Sequence, residues 1–451
     1  MRSSSADPKR LSSDTRLQLV TLMLAILCVF NTHSAAAQET AACHAAPAAS
    51  LAGWICHSSE KEIHIFYIHG IGNDGPTDFD SLELRKSICA YLKDCTTPAG
   101  EPVGPWDYAD EGYFAPGAAP PALDFLGQPV WRNNEEWSAA APYAAHYKIA
   151  RTHGPVIYVD ALHWWPLTFA LKCRQIVAGD ASFVAPNKLR INTCSKREAA
   201  PGVPDRFRSY DWISPDDAKA LLKMPSHGAR ANRDLKTGLM DWGFSDAVMA
   251  LGPLRPYILD GIRQLILKSL SDAHPENRSE SAPVAENDEF TIVSHSLGSY
   301  LIFAALDTSE DTTGDQAIGH GERFHEVLER TSRVYFFANQ LRLLELASLD
   351  GRTDRNLVTH LEVWAKLRCD HLKTQPNAPQ ECAPPRITAL NDPSDLLTWT
   401  VPDLEGVKVE NWTVKNAPHW LGIIENPTLA HNNYARDKRA VKAILAGDGP
   451  K

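Results

Sequence analysis

Apolar residues in this chain recur in short blocks with two different periods, and the order of those blocks predicts the architecture. Residues 62–68 (Glu-Ile-His-Ile-Phe-Tyr-Ile), 155–160, 290–293, 333–338 and 386–390 are short runs rich in β-branched and aromatic side chains, and turn-forming residues punctuate them. Such runs read as strands buried on both faces, while 406–414 alternates apolar and polar positions as a strand should. Helical spacing is present at 299–306, at 214–224, at 234–270 and at 434–445, the last closing before Gly447. Strands alternating with helices predict an α/β fold with a mostly parallel sheet and helices on both faces. Sites in such sheets lie beyond the carboxyl ends of the strands. No Gly/Ser linker divides residues 38–451, which read as a single domain with large loop insertions near 95–150 and 178–235. Trp164 and Trp165 read as packing residues, and 239–248 reads as core.

The chemistry begins where the run at 290–293 ends. It passes into Ser294-His295-Ser296-Leu297-Gly298 and then directly into the helical stretch. A serine hydroxyl is a weak nucleophile at neutral pH and must stand clear of its backbone, near a base and near free amide donors. A tight strand-to-helix turn gives that exposure, and it needs small residues two before and two after the serine because the two backbones nearly touch. Ser294 and Gly298 meet the requirement. Three further patches stand at strand ends. His69-Gly70-Ile71-Gly72 follows the first run; Asn391-Asp392-Pro393-Ser394-Asp395 follows the run at 386–390; His419 and His431 lie between the last strand and the last helix.

Together these patches resemble the α/β-hydrolase superfamily of serine esterases and lipases, in which nucleophile, acid and base follow one another in the order Ser, Asp, His. The resemblance implies Ser296 as nucleophile, His431 as base and Asp395 as the acid, with backbone N–H groups of Ile71 and Leu297 forming the oxyanion hole. Asp392 is the rival acid, though Asn-Asp-Pro-Ser is also good turn chemistry. His431 is preferred over His419 because a Tyr, here Tyr434, follows it closely at the head of the last helix. Ser294 departs from the glycine usual at the first motif position.

Residues 1–16 are basic and precede the apolar run at 17–30 and Ala35-Ala36-Ala37, which reads as a secretory signal peptide over 1–37. The run is shorter than the roughly 20 residues that span a bilayer, so no integral membrane segment is expected after cleavage. Removal of Arg2, Lys9, Arg10 and Arg16 with Asp7 and Asp14 would move the formal charge from −10 to −12. An acidic chain excludes nucleic acid held by long-range charge, and leaves a small-molecule or lipid ester substrate open. Eight of the nine cysteines would remain, in four sequence-local couples: Cys43 with Cys56, Cys89 with Cys95, Cys173 with Cys194, Cys369 with Cys382. Four disulfides are therefore expected, suited to a secreted or periplasmic protein. No metal is expected, since no cysteine couple has zinc-knuckle spacing, and no glycine loop suggests a nucleotide cofactor. The sequence is thus read as an exported serine hydrolase acting on carboxylic esters. A catalytically inactive relative that binds a partner, or an acyltransferase or amidase on the same fold, are the alternatives.

Overall fold

A computed structural model of the chain describes residues 43, 46–58, 62–71, 79–104, 107–109, 141–172, 216, 219–220, 240, 243–252, 254–273, 288–307, 321–345, 357–375, 382–417, 419–420, 424–425 and 427–449. The expected signal peptide, the Cys173–Cys194 bridge and nearly all of the insertion near 178–235 lie outside them.

The strands are β1 (Glu62–Ile68), β2 (Glu101–Pro102), β3 (Asp107–Tyr108), β4 (Tyr143–Ile149), β5 (Val156–His163), β6 (Asp288–His295), β7 (Thr331–Phe337), β8 (Arg386–Asn391) and β9 (Lys408–Thr413). They form one sheet in the order β2-β4-β5-β1-β6-β7-β8-β9, with β3 also paired to β4. From β5 to β9 every pairing is parallel, and β4 runs antiparallel to β5. The α/β expectation is met.

Two core clusters show how the sheet is covered. Successive side chains of a strand face opposite ways. In β1, Ile63, Ile65 and Tyr67 enter one cluster and Phe66 and Ile68 the other. The first cluster also holds residues of α1 (Leu51–His57), α2 (Phe79–Leu92) and α11 (Lys438–Ala446). The second includes α4 (Ser245–Leu251), α5 (Arg255–Ala273), α6 (Gly298–Leu306), α7 (Gly321–Arg330), α8 (Leu341–Glu345) and α9 (Leu357–Thr374). The remaining helices, α3 (Trp165–Leu171) and α10 (Pro427–Asn432), follow β5 and precede α11.

Several expectations change. Strand β4 lies inside a segment read as an insertion, because its Ala144-Ala145 core carries little β signal and its identity comes from pairing with β5. β5 continues to His163, three residues beyond the predicted end. The stretch 234–270 is broken at Gly252, the C-cap of α4. The final helix starts at Lys438 rather than 434, because the Asp437 side chain accepts a hydrogen bond from the Arg439 N–H and caps it. The stretch 239–248 is only half core: Ala247 is buried, while Met240, Phe244 and Val248, four residues apart, are 50%, 40% and 59% exposed.

Three of the four expected disulfides are present, Cys43–Cys56, Cys89–Cys95 and Cys369–Cys382. Among the described residues no helix is long and apolar enough to cross a membrane.

Candidate active site

Register alone brings the candidate patches to one edge. Ile68 pairs with Ser294 across β1 and β6, His295 with Phe337 across β6 and β7, and Phe337 with Leu390 across β7 and β8. The residues that follow, His69, Ser296, Ala338 and Asn391, therefore emerge side by side. Ser296 adopts φ 55°, a left-handed conformation that a non-glycine residue occupies at a cost of about 1–3 kcal/mol. What holds it there is the Ser296 N–H, which donates to Phe337 O at 2.8 Å, together with α6, which begins at Gly298. Ala338 repeats the device on β7 with φ 51° and an N–H donating to Leu390 O.

The small-residue requirement has a visible cause. A Cβ on Gly298 would lie 2.5 Å from His69 O and 2.9 Å from Ile68 O, and one on Gly70 would lie 2.4 Å from Ser296 Cβ. Ser294 is accommodated because its hydroxyl is buried against Ser299 Oγ at 3.0 Å, so the departure from glycine brings its own hydrogen bond. His69 is neutral: burial, then the neighbouring His163, holds it well below the usual imidazole range. Its Nδ1–H donates to Gly70 O, its ring stacks on Trp164, and its carbonyl accepts from Trp164 Nε1. Trp164 thus packs behind the turn, as expected of a packing residue.

The three side chains singled out from sequence meet. His431 Nε2 lies 3.0 Å from Ser296 Oγ, and His431 Nδ1 lies 2.9 and 3.0 Å from the two oxygens of Asp395. Ser296 is fully buried, and His431 and Asp395 nearly so. In so dry an environment each of these hydrogen bonds is stronger than in water. With Asp395 accepting from Nδ1–H, the imidazole presents an unprotonated Nε2 to the serine. His431 comes from the short helix α10 rather than from a loop between the last strand and the last helix.

No family model matches this chain, and no curated protein matches its sequence. The site is therefore understood from its own contacts.

The two candidate acids have separate places. Asp395 also accepts from the Leu397 N–H and from the Tyr434 hydroxyl. Asp392, fully buried, accepts instead from the backbone N–H groups of Ser394 and Asn416, the turn-capping arrangement. Tyr434 joins them: its oxygen accepts from the Asp392 N–H at 2.7 Å while its O–H donates to Asp395. The carboxylate beside it and burial together push the Tyr434 phenol far above its ordinary range, burial being the larger cause. His419 sits in a short antiparallel pair, His419–Trp420 with Ile424–Glu425.

Two contributors escape a sequence reading. His295 Nε2–H donates to the His431 carbonyl at 2.7 Å, fixing the backbone that carries the base. Burial, and next the neighbouring His431, push His295 down to about 3, so it stays a neutral donor. Asn416 bonds Ala430 O through Nδ2. Neither contact leaves a sequence signal, because the first spans 136 residues and the second joins a loop to α10. Among the described residues no cluster of His, Cys, Asp or Glu could hold a metal ion.

Proposed function

We propose that this chain is an exported serine hydrolase of α/β-hydrolase type that cleaves carboxylic esters through an acyl-enzyme. The observation that carries the reading is the continuous relay Asp395–His431–Ser296 with the serine held in a left-handed turn at a strand end. Ser296 Oγ forms a bond to the ester carbonyl carbon as His431 Nε2 takes its proton, and the carbonyl π electrons move onto oxygen. Collapse breaks the carbon–alkoxy bond, and the proton passes from His431 to the departing alcohol. A water then repeats the sequence and releases the acid. Asp395 stays ionised throughout and holds the imidazolium.

The oxyanion needs donors that are not already engaged. Among the described residues neither Ile71 nor Leu297 uses its N–H in a backbone hydrogen bond, and both residues flank the serine turn. Each donor in a site of this kind contributes about 3 kcal/mol. Disulfides near both ends of the described chain, together with the basic, apolar and small-residue succession at 1–37, support export.

The test is covalent labelling of the oxidised protein with a fluorophosphonate, mapped by mass spectrometry beside Ser296→Ala and His431→Ala. The expected result is one adduct, on Ser296, that requires His431. A folded protein that forms no adduct overturns the proposal.

A further inference from the structure

Beside the relay lies a cavity of about 260 Å³ lined by Ile71, Phe244, Ala247, Val248, Leu251, Gln340, Leu343, Leu344 and Leu397. No member of the relay lines it, yet two of its walls are one step away. Ile71 follows Gly70, whose Cα is packed against Ser296, and Leu397 gives its backbone N–H to Asp395 Oδ1. A third wall is α4, which the buried ion pair between Asp246 and Lys172 Nζ, 2.7 Å long, ties to the end of α3. Phe244, which caps that helix, and Val248 on it are partly exposed and form the mouth.

Every lining residue but one is apolar. The exception, Gln340, is only 2% exposed, and its Nε2 has no hydrogen-bond partner. Leaving such a donor unpaired forfeits its solvation with nothing in return. The segment bearing it is rigidly built: it follows the left-handed Ala338, and Asn339 is bonded to Asn391 and to Trp399 O. An amide whose donor is unpaired at the wall of an apolar cavity can recognise one oxygen on an otherwise apolar ligand once its side chain turns to meet it.

We infer that this cavity receives the acyl chain of the ester and that Gln340 Nε2 donates to a hydroxyl carried by that chain, making the preferred substrate a medium-chain hydroxyacyl ester. This rests on the serine hydrolase reading above. If each methylene needs the ~30 Å³ that a water molecule occupies in the liquid, the volume holds about eight carbons. Shorter chains leave apolar wall uncovered. Much longer chains run out past Phe244 and Val248 and gain little. A chain without the hydroxyl leaves the Gln340 amide unpaired in the complex, and sites built to pair a polar group discriminate strongly against analogues that lack it.

The experiment measures kcat/KM for nitrophenyl butyrate, octanoate, hexadecanoate and a positional series of monohydroxyoctanoates, on the wild-type chain and on Gln340→Leu, Leu344→Trp and Val248→Trp. Fluorophosphonate labelling of wild type runs in parallel. The expected wild-type result is a maximum at the octanoates, with one hydroxy isomer preferred over plain octanoate by at least tenfold. Gln340→Leu should abolish that hydroxy preference, and Leu344→Trp should lower the octanoate-to-butyrate ratio by at least tenfold. Val248→Trp, at the exposed mouth, makes the same test without altering the core and should lower the hexadecanoate-to-octanoate ratio. A labelled, active protein with no chain-length maximum, or with a hydroxy preference that survives Gln340→Leu, overturns the cavity assignment and leaves the hydrolase reading standing. A protein that forms no adduct overturns both.

Discussion

Asp392 and Asp395 lie three residues apart and are both buried, yet they should behave in opposite ways when each is changed to Asn. Asp395→Asn places an amide against His431 Nδ1, which is 2.9 Å from one carboxylate oxygen and 3.0 Å from the other. Either the amide oxygen keeps the bond without its charge, or the NH₂ group turns inward and forces the proton to Nε2, facing Ser296. Both outcomes impair the base; where an equivalent acid is so replaced in serine hydrolases the rate falls by about 10⁴, or about 5.5 kcal/mol. The fold should survive, since an amide oxygen can still accept from Leu397 N–H and Tyr434 O–H. Asp392→Asn removes charge from two backbone-donor hydrogen bonds, to Ser394 and Asn416 at 2.9 and 2.7 Å. Charge-assisted bonds are worth about 1.5–3 kcal/mol against about 1 for neutral ones, so a stability loss of about 1–3 kcal/mol is expected. The labelling rate should change less than tenfold. Second-order rates of fluorophosphonate labelling and urea midpoints on the two variants decide the matter. Asp395→Asn labelling within tenfold of wild type, or Asp392→Asn folded but unlabelled, would refute the assignment.

Three further expectations follow from the same geometry. Tyr434→Phe leaves the buried Asp392 N–H without its acceptor and should cost about 1–3 kcal/mol by urea denaturation; an unchanged midpoint would mean that the bridge to Asp395 has no structural weight. Gly70→Ala drives a Cβ to 2.4 Å from Ser296 Cβ and 2.9 Å from His295 O, so labelling of Ser296 should slow at least 100-fold while the chain remains folded, and normal labelling would contradict the crowding described at this turn. His163 and His295 are each pushed down to about 3 from 6.5, chiefly by burial, so the folded chain keeps them neutral while the unfolded chain protonates below 6.5. Their contribution to stability is complete above 6.5 and is lost as the pH falls toward 3, by about 1.4 kcal/mol per pH unit for each imidazole; His163→Phe should reduce the slope by one proton in urea titrations between pH 6 and 4, and an unaltered slope would count against it.

The sheet could be read from sequence because its central strands are apolar on both faces and end in turn chemistry, so β1 and β8 fall where the pattern places them. β4 could not, since Tyr-Ala-Ala-His-Tyr acquires its strand identity only by pairing with β5. The Ser296 turn stands out for a related reason, since a strained turn needs small neighbours, whereas His431, expected in a loop, sits on α10. The choice of Asp395 over Asp392 rests on the family resemblance rather than on local rules. Both sit in the same loop with the same turn propensity, and only the position of His431, contributed by a segment 36 residues later, separates them. The stretch 239–248 reads as core because helical spacing of Met240, Phe244 and Val248 looks the same whether the stripe meets a core or solvent. Gln340 carries no sequence mark, because an unpaired amide is a property of its surroundings.

The last feature to complete the relay is also the last to be synthesised. Ser296 has its turn, its strand and its neighbour Gly70 before residue 340 is made, but His431 comes later, followed by the segment that carries α11. That segment does not stand alone: α11 ends at Gly447, packed against Ser50 at the head of α1, so the final helix closes against one of the first. Contacts of such long sequence separation form late in folding. A nascent chain would thus lack the assembled relay until the segments bearing Ser50 and Gly447 dock.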